Sequence, residues 1–165
     1  MIIGEEEIPN ERALLTQEDG PMMASSASVK YIVIHCSATR STRDYTVEQL
    51  LRDHKMRGFR TVGYHFYIRR DGSVTQHRKL LEVGAHCRPW NRCSIGICYE
   101  GGLDADGRPT DTRTPEQTEQ FILLLMRMVK IFPGVRIRGH RDMPGSIPKA
   151  CPCFDAEGVF GYLEK

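Results

Sequence analysis

The chain has 165 residues, 40% of them hydrophobic and 27% charged, with a formal net charge of +2. That length suits one domain of common size whose core needs no disulfides. The near-balanced charge makes no electrostatic case for nucleic acid, and no apolar run approaches the roughly 20 residues of a bilayer span, so neither nucleic-acid binding nor stable membrane insertion is expected.

Residues 1–29 carry little periodicity. Glu5, Glu6 and Glu7 follow the first four residues, and no apolar segment of a signal peptide develops after them. Synthesis in the cytoplasm is therefore expected. The stretch reads as a weakly packed N-terminal extension, with the domain spanning 30–165. In a reducing compartment the six cysteines are expected as free thiols or metal ligands rather than disulfides.

Tyr31 to Ile34 is a short apolar run that reads as a buried strand, and it ends on His35. After a polar loop, Thr46 is a good N-cap with Gln49 three residues on as a capping box, and Gly58 closes the helix they start. His54 falls on that helix's apolar face and reads as a packed core histidine. Gly63 to Ile68 is strand-like by its aromatic and β-branched content, with His65 alternating away from Tyr64. Arg70-Asp71-Gly72 turns a hairpin into a return strand over Ser73 to His77. Leu80 to Asn91 is a long loop around Gly84-Ala85-His86, and Cys93 to Tyr99 is another strand. Thr114, Pro115 and Gln117 start a second helix whose stripe is Phe121, Leu124, Leu125, Met128 and Val129. Val135 to Arg138 is a strand leading to His140, and Ala156 to Leu163 is a last short turn or helix. Strands interleaved with two long helices predict an α/β domain, a mixed central β-sheet flanked by helices.

The segment after His140 is broken by Pro144, Gly145, Pro148 and Pro152, so it is a shaped loop. It carries two thiols, Cys151 and Cys153. Histidine and cysteine are ligand types that zinc prefers. Two strand ends, each delivering a histidine, plus one thiolate from this loop predict a three-ligand zinc site. Its fourth position stays open to water, which is the catalytic rather than the structural pattern.

Several motifs occur in order: Val33-Ile34-His35-Cys36-Ser37-Ala38-Thr39, Gly63-Tyr64-His65-Phe66, Arg70-Asp71-Gly72, Gly84-Ala85-His86, Ser94-Ile95-Gly96-Ile97, Gly139-His140 and Lys149-Ala150-Cys151-Pro152. In this succession, from about Tyr31 to Asp155, the chain resembles the zinc-dependent N-acetylmuramoyl-L-alanine amidases. That group includes a phage lysozyme and shares its fold with the peptidoglycan recognition proteins. The resemblance implies one Zn²⁺ per chain, held by His35, His140 and Cys151. It implies catalytic roles for Tyr64 and Lys149 and places His86 in the substrate groove. The implied reaction is hydrolysis of the amide between muramic acid and L-alanine in peptidoglycan or muropeptides, by an endolysin-like enzyme that acts on the cell wall after release.

Lys149 lies two residues before Cys151, so an extended segment would bring its ammonium out on the thiolate's side. Trp90 and Asn91 are placed on the substrate groove, an exposed loop aromatic being the alternative for Trp90. Some zinc-amidase relatives carry a glutamate where this chain has Cys98. Glu100, on the same strand face by alternation, is a second-best acid. A monomer is expected. The alternative function is a non-catalytic peptidoglycan-binding recognition module, and retention of the cysteine ligand favours the enzyme.

Overall fold

Alternation sets the two faces of the sheet. In β1 (Tyr31–Cys36), five of six residues are buried. Ile32, Ile34 and Cys36 turn to one side and Tyr31, Val33 and His35 to the other. The computed structural model describes residues 20–146 and 150–164. After β1 come β2 (Thr39–Arg40), α1 (Val47–Met56), β3 (Phe66–Ile68), β4 (Val74–Gln76), β5 (Ser94–Tyr99), β6 (Gly102–Leu103), α2 (Pro115–Ile131), β7 (Arg136–Gly139) and α3 (Ala156–Phe160).

The main sheet runs β4-β3-β5-β1-β7. The four strands β3, β5, β1 and β7 are parallel, and β4 returns antiparallel through the Asp71-Gly72 hairpin, with Gly72 at φ 89°. β2 and β6 form a separate short parallel pair. On one face Ile32, Ile34, Phe66, Ile68, Ile95 and Ile97 meet Phe121, Leu124, Leu125 and Met128 of α2 and Phe160 of α3. On the other, Tyr67 and Cys98 pack with Leu50 of α1, and Val33 packs with Cys87 and Met143. The result is the expected α/β arrangement, with the sheet between α2 and α3 on one side and α1 with two loops on the other. Both predicted capping boxes are present, Thr46 with Gln49 and Thr114 with Gln117.

Two local expectations change. Residues 20–29, assigned to a weakly packed extension, lie against the body. Met23 and Val29 are buried in the main core, Met22 bridges to Glu82, and the Val83 N–H donates to the Pro21 carbonyl. Two apolar side chains separated by a serine-rich turn do not announce themselves by period. The packed body therefore begins before Lys30; residues 1–19 lie outside the described residues. Gly63 to His65 precede β3 as bends. The Gly63 N–H donates to His54 Nδ1 and its carbonyl accepts from Ala85 N–H, so neither group is left for a ladder.

Candidate metal centre

Parallel neighbours end side by side, and open sheets bind ligands at those carboxyl ends. β1 and β7 pair with Ile34 opposite Gly139, so the next residues, His35 and His140, emerge together. Their ring centroids are 4.7 Å apart. Cys151 arrives on the following loop. The Cys36 N–H donates to its sulfur at 3.2 Å, the Arg141 N–H donates to its carbonyl at 2.9 Å, and the Tyr99 hydroxyl donates to the Pro152 carbonyl at 2.7 Å.

His35 Nδ1 stands 3.9 Å from Cys151 Sγ. One donor atom from each of His35, His140 and Cys151 lies within 4.8 Å of the others. Tetrahedral zinc with these ligand types has ligand-to-ligand edges of about 3.3–3.8 Å. The trio therefore fits such an ion after a contraction of about an ångström, and the group can hold a metal. Cys153 points elsewhere: its sulfur lies 3.8 Å from that of Cys36. All six cysteines are free thiols.

Tyr64 leans over the same spot, its ring centroid 5.0 Å from that of His35 and 5.3 Å from that of His54. Its side chain packs against the cluster that holds Cys98 of β5. His86, expected in the substrate groove, meets His35 directly, Nδ1 to Nε2 at 2.8 Å. Asn91 Oδ1 accepts the backbone N–H groups of His86 and Cys87. Trp90 packs edge-on to Tyr31 and donates its indole N–H to the Pro144 carbonyl at 2.6 Å, tying the 80–93 loop to the one after His140. The polar groups of His86, Trp90 and Asn91 are thus each engaged by partners within the chain.

A family model described as N-acetylmuramoyl-L-alanine amidase matches residues 25–154. The endolysin of Klebsiella phage KP32 is 42% identical over 124 residues, 75% of this chain and 80% of its own length. The endolysin of Escherichia phage T7 is 38% identical over 128 residues, 78% of this chain and 83% of its own. The chain belongs to the N-acetylmuramoyl-L-alanine amidase family. Solved structures share the fold. The amidase LysC from Clostridium intestinale URNW superposes with a TM-score of 0.72 at 24% identity, over 92% of this chain and 96% of that one. Bumblebee PGRP-SA does so at 0.74 and 18% identity, over 95% of each.

Burial governs the electrostatics of the candidate centre. It pushes His35 well below the ordinary histidine range, helped by nearby His86 and His140, so this ring is neutral at pH 7. His86 is depressed in the same way, with His65 and His140 close by. Tyr64 and Cys98 are both pushed up by burial and keep their protons. The hydrogen bond to Cys151, with burial, raises Cys36 to about 12.

Lys149 lies outside the described residues. Glu100 is no acid for this site. It is 1% exposed and accepts from Arg69 Nε at 2.8 Å and from the backbone N–H groups of Arg70 and Tyr45, because β5 ends at Tyr99 and alternation ends with it. His65 does not turn away. Its Nδ1 accepts the Gly96 N–H, its Nε2–H donates to the Glu82 carbonyl, and its ring lies 6.0 Å from that of His86. Ser94 and Gly96 were missed as site residues, although alternation with Cys98 along β5 signals that the three share the site face.

Proposed function

We propose that this amidase holds one zinc ion through His35, His140 and Cys151 and hydrolyses the amide between the lactyl group of muramic acid and L-alanine, in peptidoglycan or its muropeptides. The observation that carries the reading is the convergence of two imidazoles and one thiol at the carboxyl ends of parallel strands in a chain of the amidase family. When bound there, zinc supplies Lewis acidity toward the scissile carbonyl and a water-derived nucleophile near neutral pH.

The chain's own groups do the rest. Neutral His35 presents a lone pair without competition from a proton. Tyr64, protonated and beside His35, orients the attacking water or passes a proton toward the leaving nitrogen. Lys149, two residues before Cys151 in sequence, supplies a cation for the charge that develops on the carbonyl oxygen. The enzyme works as a monomer made in the cytoplasm, reaching the wall after release like an endolysin. Among the described residues no helix is long and apolar enough to cross a membrane.

The test is zinc content by elemental analysis, paired with appearance of new amino groups from purified peptidoglycan. Wild type and Cys153→Ala are expected to carry one zinc and to cleave; Cys151→Ala is expected to lose both. Zinc without cleavage in the wild type would mean a recognition module. Zinc and cleavage surviving in Cys151→Ala would move the third ligand to Cys153.

A further inference from the structure

The lengths of the hydrogen bonds behind His35 favour one assignment of protons, in which Ser94 donates along its shorter contact. Ser94 Oγ lies 2.8 Å from the Trp90 carbonyl, which only accepts, so the hydroxyl donates there. Its lone pairs then face His86 Nε2 at 3.3 Å, which must carry the proton. In a neutral imidazole the other nitrogen is an acceptor. His86 Nδ1 therefore accepts from His35 Nε2–H at 2.8 Å. That leaves His35 Nδ1 bare, and this is the nitrogen that faces Cys151 Sγ.

We infer that His86 is a positioning residue for the metal centre, fixing His35 in the tautomer whose Nδ1 lone pair points at the metal through a chain that ends on the Trp90 carbonyl. Ligand histidines commonly donate their second N–H to a carboxylate or carbonyl. Here an imidazole takes that place, and an imidazole accepts only if its own far nitrogen is protonated. Ser94, fully buried, enforces that condition.

The ring is also held in place sterically. A Cβ on Gly96 would stand 2.7 Å from His86 Cγ, and one on Gly84 would stand 2.6 Å from His86 Cδ2, both closer than carbon atoms approach. The Asn91 side chain pins the His86 backbone. So Gly84, Gly96 and Asn91 all shape one imidazole slot. This gives the Gly84-Ala85-His86 and Ile95-Gly96-Ile97 motifs a common physical reason, with His86 tuning a ligand instead of meeting substrate.

The inference rests on the metal-centre reading, but its first test needs neither zinc nor turnover. Long-range proton–nitrogen correlation spectra of metal-free, nitrogen-15-labelled protein at pH 8, with His35 assigned from His35→Gln, report the tautomer. A single Nε2–H form is expected. An Nδ1–H form, or an averaged mixture, would overturn the inference whatever the enzyme proves to cut. Ser94→Ala is expected to shift His86 and His35 toward mixed tautomers with the fold intact by circular dichroism.

The second test is zinc affinity by competition with a chromogenic chelator. His86→Leu, which keeps volume without an acceptor, is expected to lose about 10–100-fold. His86→Asn, whose Oδ1 takes the place of Nδ1, is expected to regain most of that loss. Gly96→Ala, which replaces none of the three relay residues but drives a Cβ into the His86 ring, is expected to fall with His86→Leu. Equal affinity in the leucine variant and wild type would sink the proposal, as would a leucine variant as good as the asparagine one. Should His86→Leu not fold, the wild-type and Ser94→Ala spectra still decide.

Discussion

Tyr64 shows how one side chain's setting selects its chemistry. Burial, with the thiols of Cys98 and Cys151 nearby, holds the phenol protonated across the physiological range. In the proposed reaction it is therefore a donor beside His35 and not a phenolate base. Tyr64→Phe removes that donor and leaves the packing of the ring. Its kcat on peptidoglycan is expected to fall about a hundredfold to a thousandfold, with zinc content unchanged. A variant that keeps wild-type turnover would remove Tyr64 from the reaction. Glu100 makes the converse point. A carboxylate two residues from Cys98 in sequence is drawn into a buried pair with Arg69 because the strand stops between them.

At the scale of elements, the helix starts link the hairpin to the far layer. Thr114 Oγ1 accepts the Gln117 N–H and donates to the Arg70 carbonyl at 2.7 Å. Gln117, fully buried, donates through Nε2 to the carbonyls of Ile68 and Glu100. One cap therefore ties α2 to the β3–β4 turn and to the end of β5. Thr114→Ala is expected to lower the unfolding free energy by about 1–2 kcal/mol, the upper range for a lost N-cap, because the second bond goes with it. Urea denaturation reads this directly. Amide cleavage by the folded variant at 25 °C is expected to stay at the wild-type level, since the cap lies outside the metal centre.

At the scale of the whole molecule, two linked equilibria act on stability. Burial lowers His54 and His77 to about 4 and His65 to about 3. The folded chain thus refuses protons that the unfolded chain takes up below its ordinary histidine value of about 6.5. Their contribution is complete above that value and erodes as pH falls through 6.5 toward 4, by up to about 1.4 kcal/mol per pH unit for each histidine. The urea midpoint of metal-free protein is expected to be flat between pH 8 and 7 and to fall steadily from 6.5 to 4.5. His54→Gln is expected to flatten that slope; an unchanged slope would mean that His54 titrates alike in both states.

Metal is the second linkage. Of the proposed ligands, His35 and His140 follow strand ends outside the main apolar cluster and Cys151 lies on a loop, so removing zinc with a chelator is expected to abolish cleavage and preserve the far-ultraviolet spectrum. Tm is expected to drop by roughly 10 °C, from a loss of about 4 kcal/mol at a thousandfold excess of zinc over Kd. Unfolding on chelation would show that the core does not stand alone.

Much of this was legible in residue order. Both helices, their caps, the Asp71-Gly72 hairpin and the apolar strands follow from local rules of period and backbone preference, which need only neighbours in the chain. The histidines at the ends of β1 and β7 were visible as candidate ligands because strand ends and residue types are local too. Tertiary structure decided what depends on separation in space. It set the Cys151 thiol beside His35 and His140 and turned that of Cys153 toward Cys36, paired Glu100 with Arg69, and packed Met23 and Val29 into the core. It also brought Ser94, His86 and His35 from three separate stretches into one line of hydrogen bonds, an order that no sequence period encodes because the donors and acceptors meet only after the parallel strands have aligned.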